Sequence, residues 1–425
     1  MLQTLRSAWR VEELRKKIIF TLAILLVYRL GCAIPVPYIN GALLSSYFAS
    51  VQNTALGLLN VLSGSALSQA TIFALSIQPY INASIIIQLL CIAIPALERM
   101  SKDEGEEGKK KIAAITRYST VVIGLLQGFA YYTLIKNYGY LESGAGSSFW
   151  VGVVIVLTLT SGSALIMWLG EQITEHGIGN GISMILFASI ISRFPSSIFT
   201  TITNVMNGSL AWWLAILVFL GALAIIVLIV YVNDAERRIP VTYAKRVVGR
   251  KQYGGQSTHL PMKVNMSGVM PIIFAQAIAT LPATIAAFTG HTNSWWAQTN
   301  SILYAVIYFL LIIFFAYFYS TIQFNPIEVA NNLKNNGGYI PGFRPGKPTS
   351  TFIQKVLNKI TLFGAIYLGI IAVVPILVSH FSSSASLTGL SLGGTSIIIV
   401  VGVALETVRA LEAQMLMRNY KGFLS

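Results

Sequence analysis

The chain has 425 residues, of which 55% are hydrophobic and only 10% are charged, and its mean hydropathy is +0.69. A soluble protein carries about 25% charged residues, so this composition excludes a soluble globular protein and indicates a polytopic membrane protein. The formal net charge is +14, and the two cysteines, Cys32 and Cys91, lie in apolar stretches that suggest neither a disulfide framework nor a metal site.

Windows of about 20 apolar residues, long enough to cross a bilayer as helices, occur ten times. The first window follows a basic stretch and has no small-residue cleavage site, so we predict a retained span rather than a cleaved signal peptide. Pro79 interrupts the second window, and Arg193 and Pro195 interrupt the fifth. In chain order, the predicted spans are residues 18–38, 72–97, 116–136, 150–170, 181–202, 212–232, 268–288, 303–323, 360–380 and 393–413.

If the spans alternate in direction, 26 of the 29 Lys and Arg residues fall in segments on one side of the membrane. The positive-inside rule makes that side the cytoplasm, so both termini are predicted to be cytoplasmic. The charge of this face either reflects topology and attraction to anionic lipid or marks a docking face for an acidic or nucleic-acid-rich partner. The predicted divisions are a cytoplasmic amphipathic N-terminus (1–17), an N-terminal half with spans one to five (18–202), a C-terminal half with spans six to ten (203–413) and a cytoplasmic tail (414–425).

Ten spans divide into two sets of five, and an odd number per set gives the two halves opposite orientations, as in an inverted repeat. A secondary transporter is therefore one candidate class. Such transporters usually keep ionisable side chains at the middle of the membrane, whereas the predicted spans hold few. We expect Arg29 to reach the interface or a partner helix, and Glu406 and Arg409, three residues apart, to be interfacial and able to pair.

A membrane-embedded enzyme is a more distant alternative. The four histidines are scattered over loops, and no Ser–His–Asp or Cys–His set can be assembled from the sequence. We therefore predict no enzymatic activity, no metal site and no cofactor.

Aliphatic residues recur at helical spacing within the spans. Ile77 and Ile81 are four residues apart in span two, and so are Ile182 and Leu186 in span five. Isoleucine in a membrane helix usually faces lipid, so this periodicity alone does not assign the residues to a pore.

Four stretches, in order along the chain, resemble the bacterial SecY family, the central subunit of the protein-translocation channel. Together the likeness extends from the basic N-terminus to the end of span ten, and four long motifs in the same order make it specific. The stretches are residues 64–90, residues 167–183, residues 243–246 with 256–271, and residues 324–326 with 332–334 and 341–346.

The resemblance implies an all-α polytopic membrane protein with ten transmembrane helices in two inverted five-helix halves around a central hourglass pore. It implies a channel that moves unfolded secretory polypeptides across the plasma membrane and membrane segments laterally into it. A narrow apolar collar dewets and blocks ions without gripping a passing polypeptide. Carried over from the family, the aliphatic ring at the waist of the pore comprises Ile77, Ile81, Ile182, Leu186, Ile273 and Ile399.

The resemblance also implies a short plug helix at about residues 59–70, where small side chains suit a helix that must be displaced. An ordinary outer loop is the alternative. The residues assigned to the plug are Leu59, Asn60, Val61, Leu62, Ser63, Gly64, Ser65, Ala66 and Leu67. A lateral gate, through which signal sequences leave for lipid, would lie between spans two and three on one side and spans seven and eight on the other. Gln88 and Gln127 are polar residues of these helices that could hydrogen-bond across the gate.

In the family, two long basic loops project into the cytoplasm and bind the ribosome, through its RNA, or the motor ATPase SecA. Here these are residues 233–267 and 324–359, and Arg344 lies on a proline-rich tip where a rigid arginine suits phosphate or carboxylate recognition. The assigned docking residues are Arg237, Arg238, Lys245, Arg246, Arg250, Lys251, Lys334, Arg344 and Lys347. The other partners that the resemblance implies are the SecE and SecG subunits, the translocating polypeptide with its signal sequence, and membrane lipid.

Overall fold

The computed structural model describes residues 7–51, 55–102, 105–142, 149–208, 211–243, 246–248, 251–253, 257–289, 298–299, 301–381 and 394–421. Its helices in the first half of the chain are α1 (Glu12–Gly31), α2 (Gly41–Ser50), α3 (Ala55–Leu62), α4 (Gln78–Ala93), α5 (Pro95–Lys102), α6 (Gly105–Asn137), α7 (Phe149–His176), α8 (Gly181–Ile191) and α9 (Phe194–Met206). Those in the second half are α10 (Trp212–Asp234), α11 (Met270–Thr289), α12 (Ile302–Gln323), α13 (Pro326–Asn335), α14 (Lys347–Phe381) and α15 (Gly394–Lys421). The strands are β1 (Glu236–Tyr243), β2 (Arg246–Val248), β3 (Lys251–Tyr253), β4 (Ser257–Lys263) and β5 (Gly338–Tyr339).

Six helical stretches within the described residues are long and apolar enough to cross a membrane. They contain α6, α7, α8 with α9, α10, α12 and α14. Helices α4 and α11 are apolar but shorter, whereas α1 and α15 each carry charged residues in addition to an apolar stretch. In chain order, these ten units correspond to the ten predicted spans.

The second predicted span differs from its expectation, because α4 begins at Gln78 rather than near residue 72. Pro79 lies in the first turn of α4, where the N–H that proline lacks has no partner within a helix in any case. The prediction that Pro79 breaks a long helix was therefore wrong, since this proline starts a shorter one. The preceding residues form buried turns, and Ser76 has a left-handed φ of 51°. Non-helical backbone at membrane depth is tolerated where protein surrounds it.

The two basic loops are not simple connections, because they share one antiparallel sheet. Strands β1 and β4 pair from Glu236 opposite Lys263 to Thr242 opposite Ser257, and β5 from the second loop pairs with the end of β1, which gives the order β4–β1–β5. Ile239 and Val241 of β1 are buried in an apolar cluster with residues from both loops. The expectation of an all-α chain therefore holds for the spans but not for the basic loops, which contain strands. In β1, buried and exposed residues alternate as is typical of a strand with one face against a core.

The largest apolar cluster joins the two halves of the chain at the centre of the molecule. It combines side chains of α1, α4, α7 and α8 with side chains of α11, α12, α14 and α15. Helix α11 contacts α3, α4 and α6, and α8 contacts α3 and α15. As a result, helices α4, α8, α11 and α15 converge, with α3 lying against α8 and α11.

Candidate functional site

Four of the six predicted ring residues line one small cavity where the two halves meet. Ile81 of α4, Leu186 of α8, Ile273 of α11 and Ile399 of α15 each contribute one side chain. The cavity volume is about 10 Å³, which is close to the smallest space that holds one water molecule. An aliphatic constriction of this size is too narrow and too apolar for a hydrated ion.

The other two predicted ring residues do not line this cavity. Ile77 is fully buried directly before α4, and Ile182 is partly buried in the first turn of α8, and both pack in the central apolar cluster. The side chain of Asn180 fixes the start of α8 by accepting hydrogen bonds from the backbone N–H groups of Ile182 and Ser183 at 3.0 and 3.3 Å. Ile77 and Ile182 thus lie one helical turn before Ile81 and Leu186, which line the cavity.

Helix α3 closes the cavity on one side with Leu59 and Leu62. We define the plug segment as residues 55–76, which are α3 and the turns that follow it. The predicted plug helix at about residues 59–70 was too long at its end, because α3 stops at Leu62. Gly64 and Ser65 then adopt left-handed φ angles of 65° and 73°, which a continuing right-handed helix cannot contain.

Asn60 organises the turn that ends α3 through both its backbone carbonyl and its side chain. Its backbone carbonyl accepts hydrogen bonds from the Ser65 N–H at 2.9 Å and from the Ser63 hydroxyl at 3.1 Å. Its side-chain Oδ1 accepts a further hydrogen bond from the Ser68 N–H at 3.0 Å. Asn60 is buried, so these bonds hold the plug segment in a compact turn within the protein.

Polar groups that sequence reasoning missed lie directly beside the aliphatic ring. Gln78, Gln276 and Thr280 line the same cavity. Within the described part of the chain, the buried Nε2 of Gln276 has no hydrogen-bond partner. Leaving a buried polar group unsatisfied costs about 1–3 kcal/mol, so Gln276 favours any state in which water or a polypeptide reaches it. A glutamine within an apolar span is the signal that would have identified this residue.

The predicted gate residues have different surroundings. Gln88 donates a hydrogen bond to Ser84 of its own helix at 3.0 Å, so in this structure its amide nitrogen bonds locally, and its place at the gate stays a prediction. Because serine and glutamine four residues apart lie on the same helix face, the local partner is the nearer one. Gln127 of α6 lines a second cavity of about 60 Å³, and Thr280 and Thr284 of α11 lie on the opposite side of it.

A glycine allows the plug segment to lie directly against α7. A Cβ atom at Gly162 would overlap the carbonyl oxygen of Ile72, so only glycine fits there without displacing backbone. Arg29, in the last turn of α1, is exposed, and its Nη1 would be 3.1 Å from a Cβ atom at Gly64. The guanidinium group of Arg29 thus lies beside the turn that follows α3.

The predicted docking arginines of the first loop lie on the outside of the shared sheet. Arg237 and Arg238 on β1 are exposed, and Arg238 forms an ion pair with Glu236 of the same strand at 2.7 Å. Lys245 and Arg250 lie outside the described residues. Arg246 belongs to β2 and Lys251 to β3, a two-stranded hairpin.

The second basic loop presents Arg344 from a backbone that is fixed on both sides. Lys334, Arg344 and Lys347 are all exposed. The hydroxyl of Thr349 donates a hydrogen bond to the Arg344 carbonyl at 2.8 Å. The preceding Phe343 stacks on Phe352 of α14, with 4.1 Å between ring centroids. The tip of this loop is therefore a rigid support for an exposed guanidinium group.

Arg409 of α15 joins the first basic loop to the last span. It donates hydrogen bonds to the Asn233 carbonyl at 2.7 Å and to the Asp234 carboxylate at 2.6 Å, at the end of α10. Arg409 thus forms its close ion pair with Asp234 of another helix, although the sequence had suggested Glu406 of the same helix as its partner. Partial burial and the nearby Arg409 lower the pKa of Lys263 on β4.

Within the described residues, no group of three or more His, Cys, Asp or Glu side chains is placed to hold a metal ion.

Comparison with known proteins identifies the family. A sequence model of the SecY family matches residues 71–408. A protein translocase subunit SecY from Streptomyces galbus is 45% identical over 443 aligned positions, which cover 100% of both chains. The chain belongs to the SecY family.

A second relative, the protein translocase subunit SecY of Mycobacterium bovis, is 42% identical, again with 100% of both chains covered. Among solved structures, a protein-conducting channel superposes with a TM-score of 0.67 at 17% identity, over 94% of this chain and 92% of that one. A SecY structure described for the plug domain that stabilises its closed state gives a TM-score of 0.65 at 16% identity, with the same coverage of 94% and 92%. Sec61 in a canine ribosome–channel complex from the endoplasmic reticulum gives 0.63 at 16% identity, over 94% of this chain and 92% of that one.

These likenesses confirm the predicted family and the predicted fold class, a helical multi-pass membrane protein built as SecY-type channels are. They do not support the secondary transporter that the inverted arrangement had left open. The individual residues of the ring, plug, gate and docking loops remain predictions, which the geometry described above makes specific.

Proposed function

We propose that this chain is the protein-conducting subunit of a bacterial Sec translocase, moving unfolded secretory polypeptides across the plasma membrane and membrane segments laterally into it. One observation carries the proposal. Aliphatic side chains from four helices, two in each half of the chain, enclose a cavity of only about 10 Å³. Such a collar blocks ions while closed, and its four aliphatic side chains offer a passing polypeptide neither charge nor hydrogen bonds.

The aliphatic ring acts in this proposal as a seal that can widen. Ile81, Leu186, Ile273 and Ile399 belong to separate helices, so small movements of these helices enlarge the constriction without breaking any one of them. Dispersion contacts between aliphatic side chains are individually weak and can be exchanged for contacts with a polypeptide. This property suits a channel for substrates of arbitrary sequence.

The plug segment is proposed to close the pore from the extracytoplasmic side. Leu59 and Leu62 already line the constriction, so displacement of α3 would open one end of it. The lateral gate is proposed to lie where α11 meets α4 and α6. Gln127, Thr280 and Thr284 line the cavity there, and their polar groups can accept water when the helices separate.

The chain itself is proposed to have no catalytic activity and to take its driving force from cytoplasmic partners. The candidates are the ribosome, through contacts with its RNA, and the motor ATPase SecA, both docking on the two basic loops. The shared sheet β4–β1–β5 supports this role, because it makes both loops one rigid surface. SecE and SecG are proposed as the companion subunits, and membrane lipid as the surrounding solvent of the spans.

The proposed orientation places both termini and both basic loops in the cytoplasm of a bacterial plasma membrane. The asymmetry of 26 of 29 Lys and Arg residues supports this orientation. Anionic headgroups of the inner leaflet would also attract these loops.

A stalled translocation intermediate tests the proposed function. A secretory polypeptide is arrested in transit through the reconstituted translocase, with a photo-crosslinker placed at Ile81 or Ile273. Both positions should crosslink to the polypeptide, because both line the constriction. The matched controls are Ile86 on α4 and Ile285 on α11, whose side chains are 47% and 56% exposed on the outer surface of the helices. Equal crosslinking at all four positions, or none at the ring, contradicts the proposal.

A further inference from the structure

A buried tyrosine of α6 is bonded directly to the plug segment. The hydroxyl of Tyr131 donates a hydrogen bond to the backbone carbonyl of Leu67 at 2.7 Å. Tyr131 is 1% exposed, and Leu67 lies in the turns after α3. Taking the channel function proposed above as its basis, we propose that Tyr131 is a positioning residue that fastens the plug segment to the gate helix α6, so that displacement of the plug and opening of the gate are coupled.

The plug segment has a second, different attachment at its far end. The Val36 N–H donates to the Ala70 carbonyl at 2.8 Å, and the Ile72 N–H donates to the Ile34 carbonyl at 3.0 Å. These are backbone bonds to the residues that follow α1, away from α6. The segment can therefore stay attached at Ala70–Ile72 while its central part leaves, and the Tyr131 bond holds this central part to α6.

The backbone of the plug segment is held in conformations that it does not favour. Ser65, Ala70 and Ser76 have left-handed φ angles of 73°, 48° and 51°, although each carries a Cβ atom. Such conformations persist only where the surroundings impose them. The bond from Tyr131 to Leu67 lies between the first two of these residues. Removing it should therefore release a segment that is already strained.

Coupling to the gate follows from where Tyr131 lies on α6. Gln127 is one turn earlier on the same face, and both side chains line the cavity of about 60 Å³ together with Leu67. Thr280 and Thr284 of α11 line its other side. When α6 moves away from α11, the Tyr131 hydroxyl either carries the Leu67 carbonyl with it or gives up their hydrogen bond. In the first case movement of the gate displaces the plug segment, and in the second case opening of the gate costs the free energy of this bond.

The neighbouring tyrosine provides a matched control. Tyr132 is also buried, at 9% exposure, but its ring faces α7, where a Cβ atom at Gly152 would lie 2.8 Å from it. It does not line the cavity between the plug segment and α11. Tyr131→Phe and Tyr132→Phe therefore each remove one hydroxyl from adjacent buried positions, and only the first removes the bond to the plug segment.

The test measures opening in the absence of substrate. In the reconstituted full translocase, Tyr131→Phe should raise ion conductance without substrate by about 2- to 12-fold, the factor that corresponds to one net hydrogen bond. It should also increase export of a secretory protein whose signal sequence has been weakened. Tyr132→Phe should match the wild type in both measurements. Thermal unfolding of each variant is recorded, so that conductance is compared between equally folded samples.

A variant expected to reduce opening distinguishes a specific role of the Tyr131–Leu67 hydrogen bond, which we call the latch, from a general loss of stability. Replacing Tyr131 by 3-fluorotyrosine makes the hydroxyl more acidic and a stronger donor. Export with the weakened signal sequence should then fall below the wild-type level. If Tyr131→Phe and Tyr132→Phe conduct equally and 3-fluorotyrosine has no effect, while the wild type exports normally, the latch is wrong and the channel function stands. If the wild type exports no secretory polypeptide, the proposed function fails and the latch fails with it.

Discussion

Replacing Ile81 by asparagine puts a polar side chain into the aliphatic ring, in a cavity that Gln78, Gln276 and Thr280 already line. Ile81 is 5% exposed and lines a cavity of about 10 Å³, so the closed channel has room for at most about one water molecule beside the new amide. An unsatisfied buried amide costs about 1–3 kcal/mol, and opening removes this cost because water enters. The closed–open equilibrium should therefore shift towards open by about 5- to 140-fold. A bond to Gln276, which lines the same cavity, would favour the lower end of this range.

Ion conductance of the reconstituted channel without substrate measures this shift. Ile399→Asn, on the opposite half of the chain, should leak in the same way. Ile81→Leu should remain closed, because a swap that conserves volume costs less than about 1.5 kcal/mol and keeps the collar dry. Ile86→Asn places the same amide on the exposed face of α4, so it should lower insertion or stability without causing a leak.

Two results would refute this reasoning. If Ile81→Asn and Ile399→Asn conduct no more than the wild type, the waist of the pore lies elsewhere. If Ile81→Leu leaks as much as Ile81→Asn, the seal depends on side-chain shape rather than on the absence of polarity.

Three further predictions concern other parts of the chain. Arg344→Glu should reduce partner-driven secretion at least several-fold while changing stability by less than about 0.5 kcal/mol, as expected at an exposed position; secretion at the wild-type rate contradicts the docking role. Gly162→Ala should lower the free energy of unfolding by about 1–3 kcal/mol through overpacking. Gly221→Ala should raise it by about 0.5–1 kcal/mol, because the added Cβ meets open space. Equal melting temperatures for the two variants refute the packing argument. A reporter active only outside the cytoplasm should be silent after Ser425 and active near His291, and the reverse pattern contradicts the topology.

The spans and the basic loops could be predicted because a bilayer imposes one-dimensional rules on a sequence. Hydropathy located the ten spans, of which α1 is the first and α15 the last, and the Lys and Arg distribution located the two basic loops. The sheet within those loops was not predicted, since β1 pairs with β4 about 20 residues away and with β5 about 100 residues away. Pairing over such distances depends on tertiary contacts rather than on local pattern.

The plug shows where local pattern is insufficient. Residues 59–70 contain no proline, and the glycine that follows the end of α3 at Leu62, Gly64, does not by itself fix where the helix stops. The end is set by bonds from Ser65 and Ser68 to Asn60 and by the surrounding helices. Gln88 is a similar case, because its partner could have been on any neighbouring helix and is instead Ser84 on its own.

The pore itself depends on position rather than on residue type. Ile81 and Ile86 lie on the same helix and have the same side chain, yet one lines the constriction and the other is 47% exposed on the outer surface. No scale of hydrophobicity distinguishes them. The difference arises only where α4, α8, α11 and α15 converge, because an aliphatic side chain becomes a seal when three others face it across a space of about 10 Å³. The four aliphatic side chains of this seal have no charge or hydrogen-bonding group with which to select a substrate, so under the proposed function specificity comes from the gate that admits a signal sequence and from the partners that dock on the basic loops.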